Sequence, residues 1–221
     1  MFTGYSDKLA DFFWELRFNN SREWFALHKQ EFSSLAAEPT RALANELYDW
    51  FAAGSPQLGL NLHISRIYRD ARRLFGRGPL KDHIWFSFQN ETENRDEAPC
   101  FWFEIGAEGY SYGMGCYGAG AAMMRRLRQS IDRDPTELLA LQRRLSRQSA
   151  FRLEGAEYAR PKGHTEDELV HWYNKRNLSL TAARPYDDVS AGRALVTLLE
   201  EGFSFLLPYY TLMQRIYKMA D

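Results

Sequence analysis

The sequence has few of the features that mark secreted, membrane-bound or disulfide-stabilised proteins. Only two of its 221 residues are cysteines, which favours a reducing compartment over a disulfide framework. No run of about eighteen apolar residues is present, so no transmembrane helix is predicted. The N-terminal stretch carries acids where a signal peptide needs a basic start and an apolar centre. We therefore expect a cytoplasmic protein with no membrane partner.

Motifs that identify common enzyme classes are missing as well. The sequence contains no G-x-S-x-G, no G-x-x-x-x-G-K-[ST] and no H-E-x-x-H pattern, which argues against a serine nucleophile, a P-loop and a zinc site. Residues 113–118, GMGCYG, do match G-x-G-x-x-G. A dinucleotide site is not expected there, because the preceding strands are predicted to be antiparallel. No cofactor and no metal site are predicted.

What the sequence does contain is many aromatic residues and charges that are separated along the chain. Aromatic residues make up 15% of the sequence, and large flat side chains bury much area in a core or a cleft. The net charge is only −1, yet basic stretches at 63–83 and 119–152 alternate with acidic ones. Neighbouring elements with complementary charge often show this pattern. At this length we expect one domain over residues 1–221.

The first quarter of the chain has helical periodicity. Apolar residues recur at the spacing of one helix face, with Ser6 as the N-cap, at Leu9, Phe12, Phe13 and Leu16. Ser21 is predicted to cap a second helix and Pro39 to open a third, which ends at residues 54–56. These segments predict an N-terminal group of helices.

The apolar period then changes to two, which is typical of strands. Alternation predicts strands over 64–69, 83–89, 100–105 and 109–118, joined as an antiparallel meander. A three-residue loop, 107–109, with Gly109 left-handed, is predicted between the last two strands. This register places Gly106 opposite Tyr110, and Cys100 opposite Cys116. We expect both thiols to be reduced and to pack as small hydrophobes.

Helices return after residue 118. Helical segments are predicted over 119–132, 134–145 and 164–176, and a further one runs from Asp188 to Met219 with an interruption near Gly202 or Pro208. Between them, 178–185 is predicted to be a strand. The fold class is therefore α+β, with an antiparallel sheet of about four or more strands in the middle of the chain and helices on its N-terminal and C-terminal sides.

The most unusual stretch is RIYRDARRLFGRGPLKDH, residues 66–83. It contains six cations against two acids, with Gly76, Gly78 and Pro79 among them. Guanidinium groups grip phosphate or carboxylate through paired hydrogen bonds, and backbone N–H groups beside glycine can bind oxyanions. Alternation along a strand would send Arg66 and Arg69 to opposite faces, so the six cations do not all line one site.

Three patches of the sequence carry a resemblance to a known family. They are NNSREWF at 19–25, RIYRDAR through GPLKDH at 66–83, and RPKGH at 160–164. In the order and spacing of these patches the chain resembles the family called domain of unknown function 2461. The resemblance implies a shared α+β fold and no particular activity. The family pattern differs at Arg73, Leu74, Leu80 and Asp82, and of these we expect Arg73 and Asp82 to be surface residues without a role.

Clustering of cations within these patches predicts a pocket for a small phosphorylated or carboxylated ligand. The residues expected to bind it are Arg66, Arg69, Arg72, Lys81 and His83, with Arg160 and Lys162 closing the pocket from another segment. Trp24 or Tyr68 is expected to stack on an organic moiety. Glu23 is a candidate general base. Both an enzyme and a binding protein would use such a pocket.

Two other interpretations fit the same residues. The cations of 66–83 form a structural network if Asp70, Glu23 and the backbone neutralise them. Alternatively, the chain is a non-catalytic interaction module that binds nucleic acid or an acidic partner through Arg-rich helices. The arginines concerned are Arg125, Arg126, Arg128, Arg133, Arg143, Arg144, Arg147 and Arg152. A sequence pI near 6.5 argues against a dedicated nucleic-acid binder.

Overall fold

The computed structural model describes residues 1–70, 72, 74, 76–90, 93, 97–116 and 118–219. Its strands form a six-stranded sheet in the order β1-β2-β3-β4-β6-β5. The strands are β1 (Leu60–Ile64), β2 (His83–Asn90), β3 (Cys100–Gly106), β4 (Gly109–Cys116), β5 (Arg152–Glu154) and β6 (Leu178–Arg184). The α-helices are α1 (Lys8–Phe18), α2 (Arg22–Phe32), α3 (Glu38–Gly54), α4 (Ala121–Arg133), α5 (Thr136–Ser146), α6 (Val170–Asn174) and α7 (Ala194–Tyr217). The predicted α+β class, with the sheet in mid-chain, is confirmed.

Most predicted elements are present, and the differences lie in where single strands begin and end. The strand predicted over 64–69 is wrong, because β1 ends at Ile64 and beyond it Tyr68 forms only an isolated bridge with Leu80. Burial still alternates there: Ser65 and Ile67 are buried, whereas Tyr68 is 48% exposed. The alternation of apolar residues therefore indicates which side chains are buried, but it does not indicate how many residues pair with the neighbouring strand. β5 is not predicted from the sequence, since three residues are too few to show a period.

The turn between β3 and β4 is one residue shorter than predicted. Only residues 107 and 108 lie between the strands. The odd-numbered Phe103 and the even-numbered Tyr110 are both buried, and their ring centroids lie 6.1 Å apart. The predicted register would place them on opposite faces, so the burial pattern indicates a register shifted by one residue. Cys100 and Cys116 do lie on neighbouring strands, as predicted. Gly109 has a φ of +141°, positive as predicted.

The chain divides into two compact units, and the prediction of a single domain stays a prediction. Unit 1 comprises Met1–Phe88, Trp102–Tyr112 and Ala183–Glu201. Its core is aromatic: the ring of Phe103 lies 5.2 Å from Phe86 and 6.3 Å from Tyr5. The face predicted for the first helix is buried here, at Leu9, Phe12, Phe13 and Leu16.

Unit 2 comprises Gln89–Phe101, Gly113–Ala182 and Gly202–Asp221. The ring of Phe101 stacks on Tyr210 at 4.6 Å in its core. Both cysteines lie in this unit and are free, and burial raises the pKa of the Cys100 thiol to about 12, so these thiols are packing groups. No helix in the described part of the chain is long and apolar enough to cross a membrane.

The GMGCYG motif has a packing explanation in unit 2. A Cβ at Gly113 would lie 2.0 Å from the carbonyl oxygen of Leu180, and a Cβ at Gly115 would lie 2.7 Å from that of Leu178. Glycine is therefore required where β4 meets β6. Tyr117 of the motif lies outside the described residues, as does Arg73.

Candidate functional site

The cationic loop, residues 65–82 of unit 1, leaves β1 and returns to β2. Its two ends run antiparallel: the backbone N–H of Arg69 donates to the carbonyl of Pro79, and that of Lys81 donates to Ile67, both at 2.8 Å. Near the tip, Gly76 has a φ of +78°, a conformation that favours glycine. The backbone is thus fixed at Arg69 and Lys81, two of the predicted site residues.

Asn20 clamps this loop from the break between α1 and α2. Its side-chain amide donates to the carbonyl of Leu80 and accepts from the N–H of Leu80, both at 2.9 Å. A Cβ at Gly78 would lie 2.3 Å from the Asn20 side-chain oxygen, so the glycine makes room for the clamp. The sequence analysis assigned Asn20 no role at the site, although its position in NNSREWF, one of the three family patches, was a signal.

Lys81 is a half-buried cation that forms no ion pair with any described carboxylate. Among the described residues no Asp or Glu oxygen lies within 4.0 Å of its ammonium group. Its Nζ lies 5.5 Å from the ring centroid of Trp85. Burial, followed by repulsion from Arg69 and Arg66, lowers the pKa of Lys81 to about 8, and Glu104 opposes this shift only in part. The ammonium group is thus held where positive charge is unfavourable.

The two guanidinium groups that act on Lys81 differ in their environment. The Arg69 side chain is 13% exposed; its Nε donates to Leu80 at 2.9 Å and its Nη2 lies 3.4 Å from Asp82. Burial, opposed by Asp82 and assisted by Arg77, lowers the pKa of Arg69. Arg66 is exposed, and no described carboxylate forms an ion pair with it. Arg69 is partly neutralised, whereas Arg66 is not.

Asp82 forms ion pairs with more than one arginine, which corrects the expectation that it is a surface residue without a role. Its side chain is only 17% exposed, and it accepts from Arg17 Nε at 2.5 Å as well as from Arg69. Burial alone would raise the pKa of this carboxyl, but the hydrogen bond and charge of Arg17, with a smaller contribution from His83, lower it. Asp82 therefore stays ionised and ties α1 to the loop.

Side chains at alternate positions of the loop end and β2 share one face of the sheet. Lys81, His83 and Trp85 are separated by two residues each and so point the same way. His83 lies between two carboxylates, with Nδ1 3.2 Å from Asp82 and Nε2 3.7 Å from Glu104. Sequence reasoning missed Trp85 and Glu104 as site residues, although the two-residue spacing of Lys81, His83 and Trp85 was visible.

A cleft of about 490 Å³ lies next to this face, entirely within unit 1. Its lining has charges of both signs, on Arg17, Arg184, Asp82, Glu104 and Glu108, and it also includes His83, Tyr110 and Ser111. Asp82, which is held ionised, lies 3.2 Å from Nδ1 of His83 and orients the ring, so that Nε2 lies 3.7 Å from Glu104.

Several predicted residues are not brought into this group. The Arg72 side chain is 88% exposed and donates to Asp70 through Nε and Nη2 at 3.1 and 2.6 Å. This cation is therefore neutralised by a neighbouring acid, as the alternative of a structural ion-pair network predicts. The Trp24 ring stacks on His28 at 3.8 Å. Tyr68 packs edge-on against Phe25 at 5.7 Å.

Glu23 is exposed in the first turn of α2, and among the described residues it makes no hydrogen bond or ion pair.

Arg160 and Lys162 belong to unit 2. Arg160 is exposed, and the Nζ of Lys162 lies 4.4 Å from the ring centroid of Tyr158. That these two residues close a pocket around Lys81 stays a prediction.

Part of the second basic stretch is engaged within unit 2. Arg126 donates to the carbonyl of Tyr217 at 2.9 Å, Arg143 pairs with Glu168 at 2.8 Å, and the Arg144 guanidinium lies 4.3 Å from the Phe205 ring centroid. These arginines have structural partners, which weakens the case for a continuous nucleic-acid-binding surface.

Comparison with known proteins gives a family but no activity. A family model described as "Conserved hypothetical protein (DUF2461)" matches residues 8–211, a span that includes the cationic loop, Asn20 and residues 160–164. No curated protein matches the chain.

Within the described residues, no three His, Cys, Asp or Glu side chains are grouped as metal ligands would be.

Proposed function

The chain belongs to the DUF2461 family of conserved hypothetical proteins, and we propose that this member binds a small phosphorylated or carboxylated ligand at the cationic loop of unit 1. The observation that carries the proposal is the half-buried Lys81: no described carboxylate lies within 4.0 Å of its ammonium group, and the charges of Arg69 and Arg66 act against its protonation while Glu104 favours it. Like charges that are only partly compensated by Asp82 and Glu104 cost free energy, and a bound anion would recover part of it.

The neighbouring side chains support a ligand with both an anionic and a flat organic part. Arg66 and Arg69 act electrostatically on Lys81, so an anion on the ammonium group would also be attracted by two guanidiniums. The half-buried Trp85 ring lies beside Lys81, and a half-buried indole offers a surface for stacking. In this proposal Trp85 replaces Trp24 and Tyr68 as the aromatic contact.

The proposal has an enzymatic form in which His83 transfers a proton. Asp82 fixes Nδ1 of the ring, and His83 and Glu104 both line the cleft. A histidine oriented by a carboxylate is a common general acid or base. Ligand binding requires Lys81 and its guanidinium neighbours, whereas turnover would also require His83. Comparing Lys81→Met with His83→Gln protein separates the two forms.

Isothermal titration calorimetry with inorganic phosphate, pyrophosphate and citrate tests the binding. Lys81→Met protein is expected to bind at least about tenfold more weakly than wild type, since a hydrogen bond to a charged group contributes about 1.5–3 kcal/mol. Arg72→Gln is the matched control: it removes one positive charge from the same loop at a residue already paired with Asp70. It is expected to bind like wild type.

Two outcomes would count against anion binding at Lys81. Equal affinity of wild type and Lys81→Met protein for all three anions would refute the proposal. Binding of an oligonucleotide that weakens steeply with salt, and that Lys81→Met does not affect, would favour the interaction module instead.

A further inference from the structure

Three cations of unit 2 converge on the ring of Tyr158. The Nζ of Lys162 lies 4.4 Å from its centroid, and the guanidinium carbons of Arg128 and Arg176 lie at 5.7 and 5.8 Å. The three residues come from different segments: Arg128 from α4, Lys162 from the segment before α6, and Arg176 from the turn before β6. Three like charges around one ring repel each other, and the face of a single tyrosine offsets only part of that repulsion.

The same region neutralises another lysine but not these three cations. The Lys175 ammonium is buried and lies 2.9 Å from both Glu157 and the carbonyl of Gly155. In contrast, no carboxylate among the described residues forms an ion pair with Arg128, Lys162 or Arg176. The partner identified for Arg128 is a backbone carbonyl, that of Tyr173, at 3.4 Å.

The backbone around Tyr158 is held in place by hydrogen bonds. The N–H of Tyr158 donates to the carbonyl of Asn174 at 3.0 Å, and the N–H of Arg176 donates to Ala156 at 2.7 Å. The N–H of Lys162 donates to the side-chain oxygen of Asn174 at 2.9 Å, and Asn174 is itself buried. The cations are therefore presented from an ordered backbone, which lowers the ordering cost of ligand binding.

The Tyr158 hydroxyl adds a neutral donor to this group. It makes no hydrogen bond to any described residue, and the ring is half-buried while Lys162 and Arg176 are exposed. An entering ligand would thus meet a hydroxyl donor, two guanidinium forks and one ammonium. Cations brought to one ring from three segments suit a phosphoryl group better than a single carboxylate, because a phosphoryl group offers three acceptor oxygens that share a charge of about −2.

We propose that Tyr158, Arg128, Lys162 and Arg176 form a second anion site, built from unit 2 alone, that binds the phosphoryl group of a small ligand. The site is independent of the one at Lys81. It gives Lys162, which lies in the RPKGH patch, a specific role beside Tyr158.

Nuclear magnetic resonance of the full-length protein with ¹⁵N-labelled arginine tests the site. Inorganic phosphate is the probe, and the Nε–Hε signals of Arg128 and Arg176 are expected to shift in a saturable way. Lys162→Gln should weaken this apparent affinity about tenfold, and Tyr158→Phe about fivefold, through loss of a charge and of one hydrogen bond respectively. Arg152→Gln, which removes an exposed charge from β5 of the same unit, should leave it unchanged.

The Lys81→Met variant separates this site from the one in unit 1. If it leaves the titration of Arg128 and Arg176 unchanged, the second site is independent, as proposed. If it abolishes their shifts, or if Lys162→Gln protein titrates like Arg152→Gln protein, the second site is refuted. A twelve-nucleotide single strand that binds more tightly than phosphate, and loses affinity steeply with salt, would also overturn it, because the ligand would then be a nucleic-acid backbone. Failure of the Lys81 site alone leaves these shifts in place.

Discussion

Replacing Lys81 by methionine is expected to make the protein more stable while weakening its affinity for anions. In the folded protein, burial and then repulsion from Arg69 and Arg66 lower the pKa of Lys81 from 10.5 to about 8. The positive charge at this position is therefore unfavourable at neutral pH. Methionine has a similar length and no charge, so it keeps the apolar stem and removes the repulsion.

The size of the effect follows from the pKa. Each pKa unit corresponds to about 1.4 kcal/mol, so the full difference would be about 3 kcal/mol. Solvent reaches the half-buried ammonium group and screens it, and we therefore expect Lys81→Met to raise the free energy of unfolding by about 1–2 kcal/mol at pH 7. Between about pH 8 and 10.5 the folded wild-type protein binds fewer protons than its unfolded chain. The free energy of unfolding of wild type therefore rises relative to that of the variant over this pH range.

Urea denaturation of both proteins at pH 7 and pH 10.5 measures this difference. The advantage of the variant should be largest at pH 7 and should disappear at pH 10.5, and phosphate should narrow it at pH 7 by stabilising wild type more than the variant. A Lys81 pKa near 10.4 from ¹³C-detected titration, or a variant less stable than wild type at pH 7, would refute the reasoning.

Three further substitutions test the framework of the site and the sheet. Asp82→Asn should cost about 2 kcal/mol above pH 3.8, because Arg17 and Arg69 lose the carboxylate that they share; since the folded pKa of Asp82 is lowered, this cost should fade as pH drops through that pKa. Asn20→Ala should cost about 2 kcal/mol through two lost hydrogen bonds and speed amide exchange at Leu80 and Lys81. Gly113→Ala should cost more than about 3 kcal/mol, since its Cβ would lie 2.0 Å from the carbonyl oxygen of Leu180.

Matched controls distinguish these effects from general sensitivity to mutation. Glu23→Gln alters an exposed carboxylate with no described partner and should leave stability unchanged. Asn19→Ala removes one exposed hydrogen bond, to Glu15, and should cost less than about 1 kcal/mol. Gly54→Ala introduces a Cβ with nothing within 4 Å and should be neutral or stabilising. Equal losses in a test variant and its control would contradict the assigned contacts.

The fold was largely predictable because its signals are local. The period of apolar residues located the N-terminal helices and three of the first four strands, and the residues predicted on the first helix face are all buried. The errors occurred where a longer-range contact decides. Whether the turn before Gly109 holds two residues or three depends on how β3 and β4 share their buried face.

The candidate site was predictable only as a set of residue types. The sequence identified Arg66, Arg69 and Lys81 by clustering and family patches. It did not identify Trp85 or Glu104, which reach the site from strand positions whose neighbours are known only after the strands are paired. It also included Arg72, which folds back onto Asp70.

By itself, the sequence determined the α+β class, the buried faces of the first helix and the strands, and the stretch in which the cations are concentrated, because periodicity and composition act over a few neighbouring residues. Only the tertiary structure decided which of those cations are neutralised. Arg17 and Asp82 are 65 residues apart in the chain yet form a hydrogen bond at 2.5 Å, and Asp82 also forms an ion pair with Arg69. Charge pairing depends on distances in space: Asp82, the next residue in the chain, pairs with Arg17 and Arg69, and no described carboxylate lies within 4.0 Å of the Lys81 ammonium group.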